Sequence, residues 1–156
     1  MKTILPLLLV ILLLSCKKDS VPYQPVRLSN ELSNNVDTIT KYLPGRWEWV
    51  EDRLKTSDGY QYYTPKTQGY KDYLILSNDT IAFRRNGEPD IIRTFKIVPE
   101  REVTNWHEDT DLVLVTYNLN NGSYASYYQV YICNNQLLLG MNYRAESPDK
   151  IYKRIQ

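Results

Sequence analysis

The sequence predicts an all-β domain: an eight-stranded antiparallel up-and-down barrel over residues 45–156. Three observations predict it. Short runs of β-branched, aromatic and leucine residues follow one another from Gly45 to the C-terminus. Residues that tolerate positive φ separate them, as Asn78-Asp79, Asn86-Gly87, Asn120-Asn121-Gly122 and Asn134-Asn135. Several runs are apolar on one face only, as expected where an interior meets a solvated outside. Successive hairpins make antiparallel neighbours, and closing them removes the exposed edges of an open sheet.

Three segments precede the barrel. Residues 1–15 read as a cleaved secretory leader, with Lys2 ahead of an apolar run, Ile4 to Leu14, broken only by Pro6. That run is too short for a bilayer, which needs ~20 apolar residues. Residues 16–28 begin with Cys16, hold Pro22 and Pro25 among polar residues, and read as a flexible tether. Residues 29–44 contain a short helix. Ser33 is its expected N-cap, Val36, Ile39, Tyr42 and Leu43 fall at helical spacing, and Pro44-Gly45 stops it.

The strands are expected at 46–54, 70–77, 80–86, 90–98, 111–118, 124–133, 136–144 and 149–155. Alternation assigns faces. Ile81 and Phe83 share one face, as do Ile91, Arg93, Phe95 and Ile97. Leu137, Leu139, Met141 and Tyr143 make another row, and Tyr128, Val130 and Ile132 oppose Tyr127, Gln129, Tyr131 and Cys133.

Two short motifs carry family resemblances. Leu13-Leu14-Ser15-Cys16 resembles the bacterial lipobox. That resemblance implies cleavage before Cys16, which becomes the lipidated first residue and holds the protein to a membrane. Several acyl chains on one residue anchor durably, where a single chain holds only marginally. Lys17-Lys18-Asp19-Ser20 follows. Lys rather than Asp after the Cys is similar to outer-membrane lipoproteins, and the charged stretch is similar to surface-export signals of some Gram-negative lipoproteins. An outer-membrane protein facing the periplasm or the cell surface is therefore expected.

Gly45-Arg46-Trp47 opens the first strand and resembles the Gly-x-Trp signature of lipocalins and lipocalin-like barrels. The resemblance covers Gly45 to the C-terminus. It implies that Trp47 closes the barrel floor and that a basic residue of the last strand lies over it. Arg154 is a better candidate than Lys153, because a planar guanidinium stacks on an indole. The layout of lipobox, spacer and Tyr-rich barrel is similar to the lipocalin-like lipoproteins of Gram-negative envelopes. The Thr-Asp-Tyr motif of transport lipocalins is not visible, and such a fold implies a cavity without naming a ligand.

Composition narrows the function. Without Lys2 the 19 basic residues become 18, against 18 acidic. A neutral protein has no electrostatic reason to seek nucleic acid. With Cys16 lipidated, Cys133 is left as a buried small hydrophobe, and neither a disulfide framework nor a cysteine zinc site is expected. His107 lies in a polar stretch with no nucleophile placed beside it. Glu108, Asp109 and Asp111 lack the spacing of a calcium loop. Glu48, Glu51 and Asp52, beside Arg46 and Arg53, read as surface ion pairs. No phosphate loop or dinucleotide fingerprint is present. The expectation is a non-enzymatic monomer with no metal and no cofactor.

The 14 Tyr against 2 Phe suit a β-rich protein with half-wet aromatic walls. Residues 58–70 are expected to form a loop joining the first two strands, where Tyr60, Tyr62, Tyr63 and Tyr70 are candidates for an aromatic lid or for stacking on sugar rings. A binding module for a small apolar or amphiphilic molecule, or for a carbohydrate, is the first expectation. The alternative is a structural or interaction component of the envelope with a solid core. A barrel of ~8 strands permits either, and an interior larger than ~300 Å³ favours a ligand.

Overall fold

The computed structural model describes residues 23–86, 88–104, 111–140 and 147–156. Eight strands close into an antiparallel barrel: β1 (Gly45–Thr56), β3 (Asp72–Leu76), β4 (Thr80–Arg85), β5 (Ile91–Pro99), β6 (Leu112–Asn118), β7 (Tyr124–Ile132), β8 (Gln136–Gly140) and β9 (Asp149–Ile155). Consecutive barrel strands pair, and β9 returns to pair with β1. The ninth strand, β2 (Gly59–Tyr63), pairs with the second half of β1.

β1 reaches three neighbours because it is 12 residues long. β9 follows one edge from Arg46 to Arg53. On the other edge, Gly45 to Glu48 pair with β3, and Asp52 to Thr56 pair with β2. The segment expected as an open loop therefore contains a strand. Gly59, at φ +124°, makes the turn that a side chain would resist, and the tyrosines that follow favour extended backbone. A one-turn helix, Pro65–Gln68, comes next. Thr64 and Thr67 form a capping box, and Gly69 ends the turn at φ +75°.

The expected rows hold in large part: Ile81, Phe95, Tyr128, Val130, Ile132, Leu137 and Leu139 join one buried cluster, Phe83 and Ile97 pack against it half-buried, and Ile91, at the strand end, is exposed. Met141 and Tyr143 lie outside the described residues, as does Gly87 of one expected turn. Helix α1 (Val36–Tyr42) covers one end and places Ile39 and Leu43 in that cluster. Its N-cap is Asn35 rather than Ser33. The Asn35 side chain accepts from the Asp37 and Thr38 amides. The Ser33 backbone is engaged elsewhere, exchanging two 3.0 Å bonds with Ile132 of β7.

From Tyr23 the lead-in lies against the outside of the barrel. Glu51 accepts from the Tyr23 hydroxyl, the Val26 amide and Arg53. Gln136 accepts from the Ser29 amide and donates to the Arg27 carbonyl. Asn34 bridges β6 and β7 through the Leu112 amide and the Leu112 and Val130 carbonyls. The later part of the expected tether is thus strapped down.

This strap and a bulge correct the expectation for the acidic residues of β1. The register with β9 shifts between Trp49 and Glu51, which breaks the alternation of faces. Glu51 and Asp52 are consequently both buried, at 0% and 7% exposure. Glu51 sits under the strap and Asp52 inside the barrel. Only Glu48 makes a surface pair of the expected kind, at 3.7 Å from Lys71.

Candidate functional site

The barrel has a packed floor and an open mouth. At the floor Trp47 is fully buried, and its indole N–H donates to the Leu43 carbonyl at 3.0 Å. The Arg154 guanidinium lies over the Trp47 ring, 4.3 Å from its centroid. It also donates to the carbonyls of Tyr42, Pro44 and Asn134, which ties the end of α1, the start of the first strand and the β7–β8 turn to β9. Gly45 completes the group: a Cβ there would come within 2.5 Å of Arg154 Nη1, and its φ is +139°. Gly45, Trp47 and Arg154 are therefore one structural unit.

At the other end a cavity of about 300 Å³ opens into the barrel. Its apolar wall is Leu74, Phe83, Tyr128, Leu139 and Tyr152, and its charged groups include Asp72, Arg85, Arg93 and Lys150. The β4–β5 turn contributes Glu88 and Pro89 at the rim. Exposed Ile91, Ile92, Leu119 and Tyr124 stand on strands and turns of the same end. Burial pushes the Tyr152 hydroxyl well above its ordinary pKa, so it is a neutral wall group at physiological pH.

Of the four described cations that line the cavity, three have carboxylate partners. Arg85 makes a two-pronged pair with Asp72, at 2.7 and 2.8 Å, and covers the Tyr70 ring at 3.7 Å. Lys150 Nζ reaches Asp52 at 2.9 Å, and the Trp49 indole donates to the other oxygen at 2.6 Å. Burial still holds the Asp52 pKa above the usual carboxylate range, against the opposing pull of Lys150. Arg84 pairs with Asp90 on the exposed rim, at 2.6 Å.

Arg93 is different. It is inward-facing on β5, opposite Ile81 of β4. Its Nη1 reaches two neutral hydroxyls, Ser126 at 3.3 Å and Thr116 at 3.5 Å. Its Cζ lies 5.5 Å from the Phe83 ring centroid. Its Nε is buried with no hydrogen-bond partner among the described residues. Sequence reasoning placed Arg93 in an apolar row without giving it a role. The available signal was a lone guanidinium between Ile91 and Phe95.

The expected tyrosine site is divided. Tyr60, Tyr62 and Tyr63 are on β2, and neither they nor Tyr70 line the cavity. Tyr60 is 55% exposed, Tyr62 meets Tyr23 of the strap at 5.6 Å between centroids, and Tyr63 packs on the core. Tyr70 stacks on Trp49 at 5.4 Å and likewise joins the core. Cys16, His107, Glu108 and Asp109 lie outside the described residues. Asp111 accepts from the Tyr131 hydroxyl at 3.0 Å; burial, with Asp111 adding to it, pushes the Tyr131 pKa to about 12. Among the described residues no cluster of metal-ligating side chains occurs, and no helix is long and apolar enough to cross a membrane.

Fold and site together define a closed antiparallel β-barrel with a packed floor and a mixed apolar and cationic cavity at its mouth. No protein-family profile, curated protein or solved structure matches the chain.

Proposed function

We propose that this chain is a membrane-anchored, lipocalin-like lipoprotein whose barrel is a non-catalytic binding module for a small apolar or amphiphilic ligand. The observation that carries this reading is the mouth cavity, with its wall of Leu74, Phe83, Leu139 and Tyr152. Ligand sites are concave, mostly apolar, and furnished with few polar groups. Loops and strand ends at the mouth of a barrel are a usual place for them. The anchor rests on the lipobox resemblance at Cys16, and the outer membrane on the Lys that follows it.

The competing reading, a structural component of the envelope, draws on the packed floor and on a volume at the lower end of the ~300–1,000 Å³ of ligand pockets. One experiment separates them. The full chain is purified from its native membrane, washed and extracted with organic solvent, and the extract is analysed by mass spectrometry. A stoichiometric small amphiphile, absent from a control lipoprotein, supports the module. An extract identical to the control favours the solid barrel. The anchor is tested by labelled palmitate, which the Cys16→Ser protein should fail to incorporate.

A further inference from the structure

We propose that the cavity takes a small amphiphile with one anionic head, a carboxylate, and that Arg93 is the residue that holds that head. This rests on the binding-module reading and adds the chemistry of the ligand to it.

Arg93 is half-buried with its Nε fully enclosed, and withdrawing an ionised guanidinium from water even in part is costly unless a counter-charge and hydrogen bonds replace the lost hydration. Arg cannot escape by losing its proton. The other described cations that line the cavity are paired inside the chain: Arg85 with Asp72, Lys150 with Asp52, Arg84 with Asp90. Arg93 forms no ion pair with a described carboxylate, and Glu88 stands exposed on the rim turn without pairing to it. Thr116 and Ser126 are neutral and reach it at 3.3 Å or more. The Thr116 and Ser126 hydroxyls also bond each other at 2.8 Å, and Ser126 bonds the Tyr128 hydroxyl at 3.2 Å. Together they hold the guanidinium at the cavity wall without neutralising it.

Geometry supplies the rest. Arg93 and the apolar groups Phe83, Leu139 and Tyr152 line the same cavity. A carboxylate in the cavity beside Arg93 would form charge-assisted bonds against an apolar wall, where such bonds are stronger than in bulk water. Its hydrocarbon body would lie against the apolar wall. A volume of about 300 Å³ limits that body to a short chain or a single ring system.

The test is calorimetric titration of the full chain with octanoate and with octan-1-ol, which share a body and differ in the head. The wild type should bind octanoate more tightly than octanol. Arg93→Gln should weaken octanoate about ten- to a hundredfold, the loss expected for one charge-assisted contact, and leave octanol unchanged. Arg93→Lys should restore much of the octanoate affinity. Thermal melting of the unliganded Arg93→Gln chain should be no lower than wild type, because the variant removes an uncompensated charge. Several results would overturn the assignment while leaving the binding module standing: octanol bound more tightly than octanoate, equal losses for both probes in Arg93→Gln, or octanoate held by that variant at full affinity. Wild-type protein that binds neither probe would overturn the assignment and the module together.

Discussion

Trp47 and Asp52 show how much single residues of β1 carry. Trp47 is completely enclosed between Leu43 and the Arg154 guanidinium. Trp47→Ala should cost about 3–5 kcal/mol, the usual cost of emptying a large aromatic site, read as a lowered midpoint in urea unfolding. A loss below about 1 kcal/mol would mean that the floor collapses onto the gap or does not depend on the indole. Asp52 gives a prediction about pH. Its folded-state pKa is raised, by burial first, with Lys150 opposing. A raised carboxyl pKa means that the folded state prefers the protonated form. That stability is fully present below the unfolded value of 3.8 and is lost as pH rises through the folded value. Asn mimics the protonated acid, so the melting temperature of Asp52→Asn should rise relative to wild type between pH 3 and pH 7. If it falls instead, the Lys150 pair outweighs the burial cost.

At the scale of elements, the β1–β2 hairpin is where the tyrosines separate into two roles. Tyr60 and Tyr62 pair across from Lys55 and Arg53 on the outer face, while Tyr63 pairs with inward Asp52. Tyr60→Ser should change stability by less than about 0.5 kcal/mol, as expected of an exposed ring. Tyr63→Ser should cost about 1–3 kcal/mol, since its ring packs on the core. Denaturant unfolding of the two single variants measures the difference. Equal effects would show that β2 does not hold the register that places Tyr63 inward. The hairpin is also where the strap is gripped, because Tyr62 touches Tyr23 and Glu51 holds both Tyr23 and Val26.

Closure is the property of the whole molecule. β9 pairs with β8 on one side and β1 on the other, and brings Arg154 to the floor and Lys150 to the mouth. Removing residues 149–156 would leave the long edge of β1 and the short edge of β8 unpaired and strip Trp47 of its cover. Exposed edges of this kind promote association. The truncated chain should yield no folded monomer by size-exclusion chromatography and circular dichroism. A monomer with an intact β spectrum would show that an open sheet suffices and that closure adds little.

Local chemistry in the sequence was enough for the order of the eight barrel strands, for the turns at Asn78-Asp79, Asn120-Asn121-Gly122 and Asn134-Asn135, and for most of the inward rows. Alternation needs only the residues of one strand, and a hairpin turn only its Asn, Asp or Gly. The Trp47–Arg154 contact was reachable by resemblance, and α1 by its helical spacing. The β2 hairpin was missed although Gly59 and the Thr64-Pro65-x-Thr67 cap were readable, because Gly-, Thr- and Pro-containing stretches also describe loops. What decided the rest was pairing across the fold. Asp52 meets Lys150 at a separation of 98 residues, and Glu51 is buried by Val26, 25 residues before it. A bulge at one position of β1 turned two expected surface carboxylates inward and under a strap. Whether a charge is neutralised depends on which distant strand lies beside it. Only the closed barrel therefore showed that Asp72 and Asp52 occupy Arg85 and Lys150, and that no described carboxylate reaches Arg93.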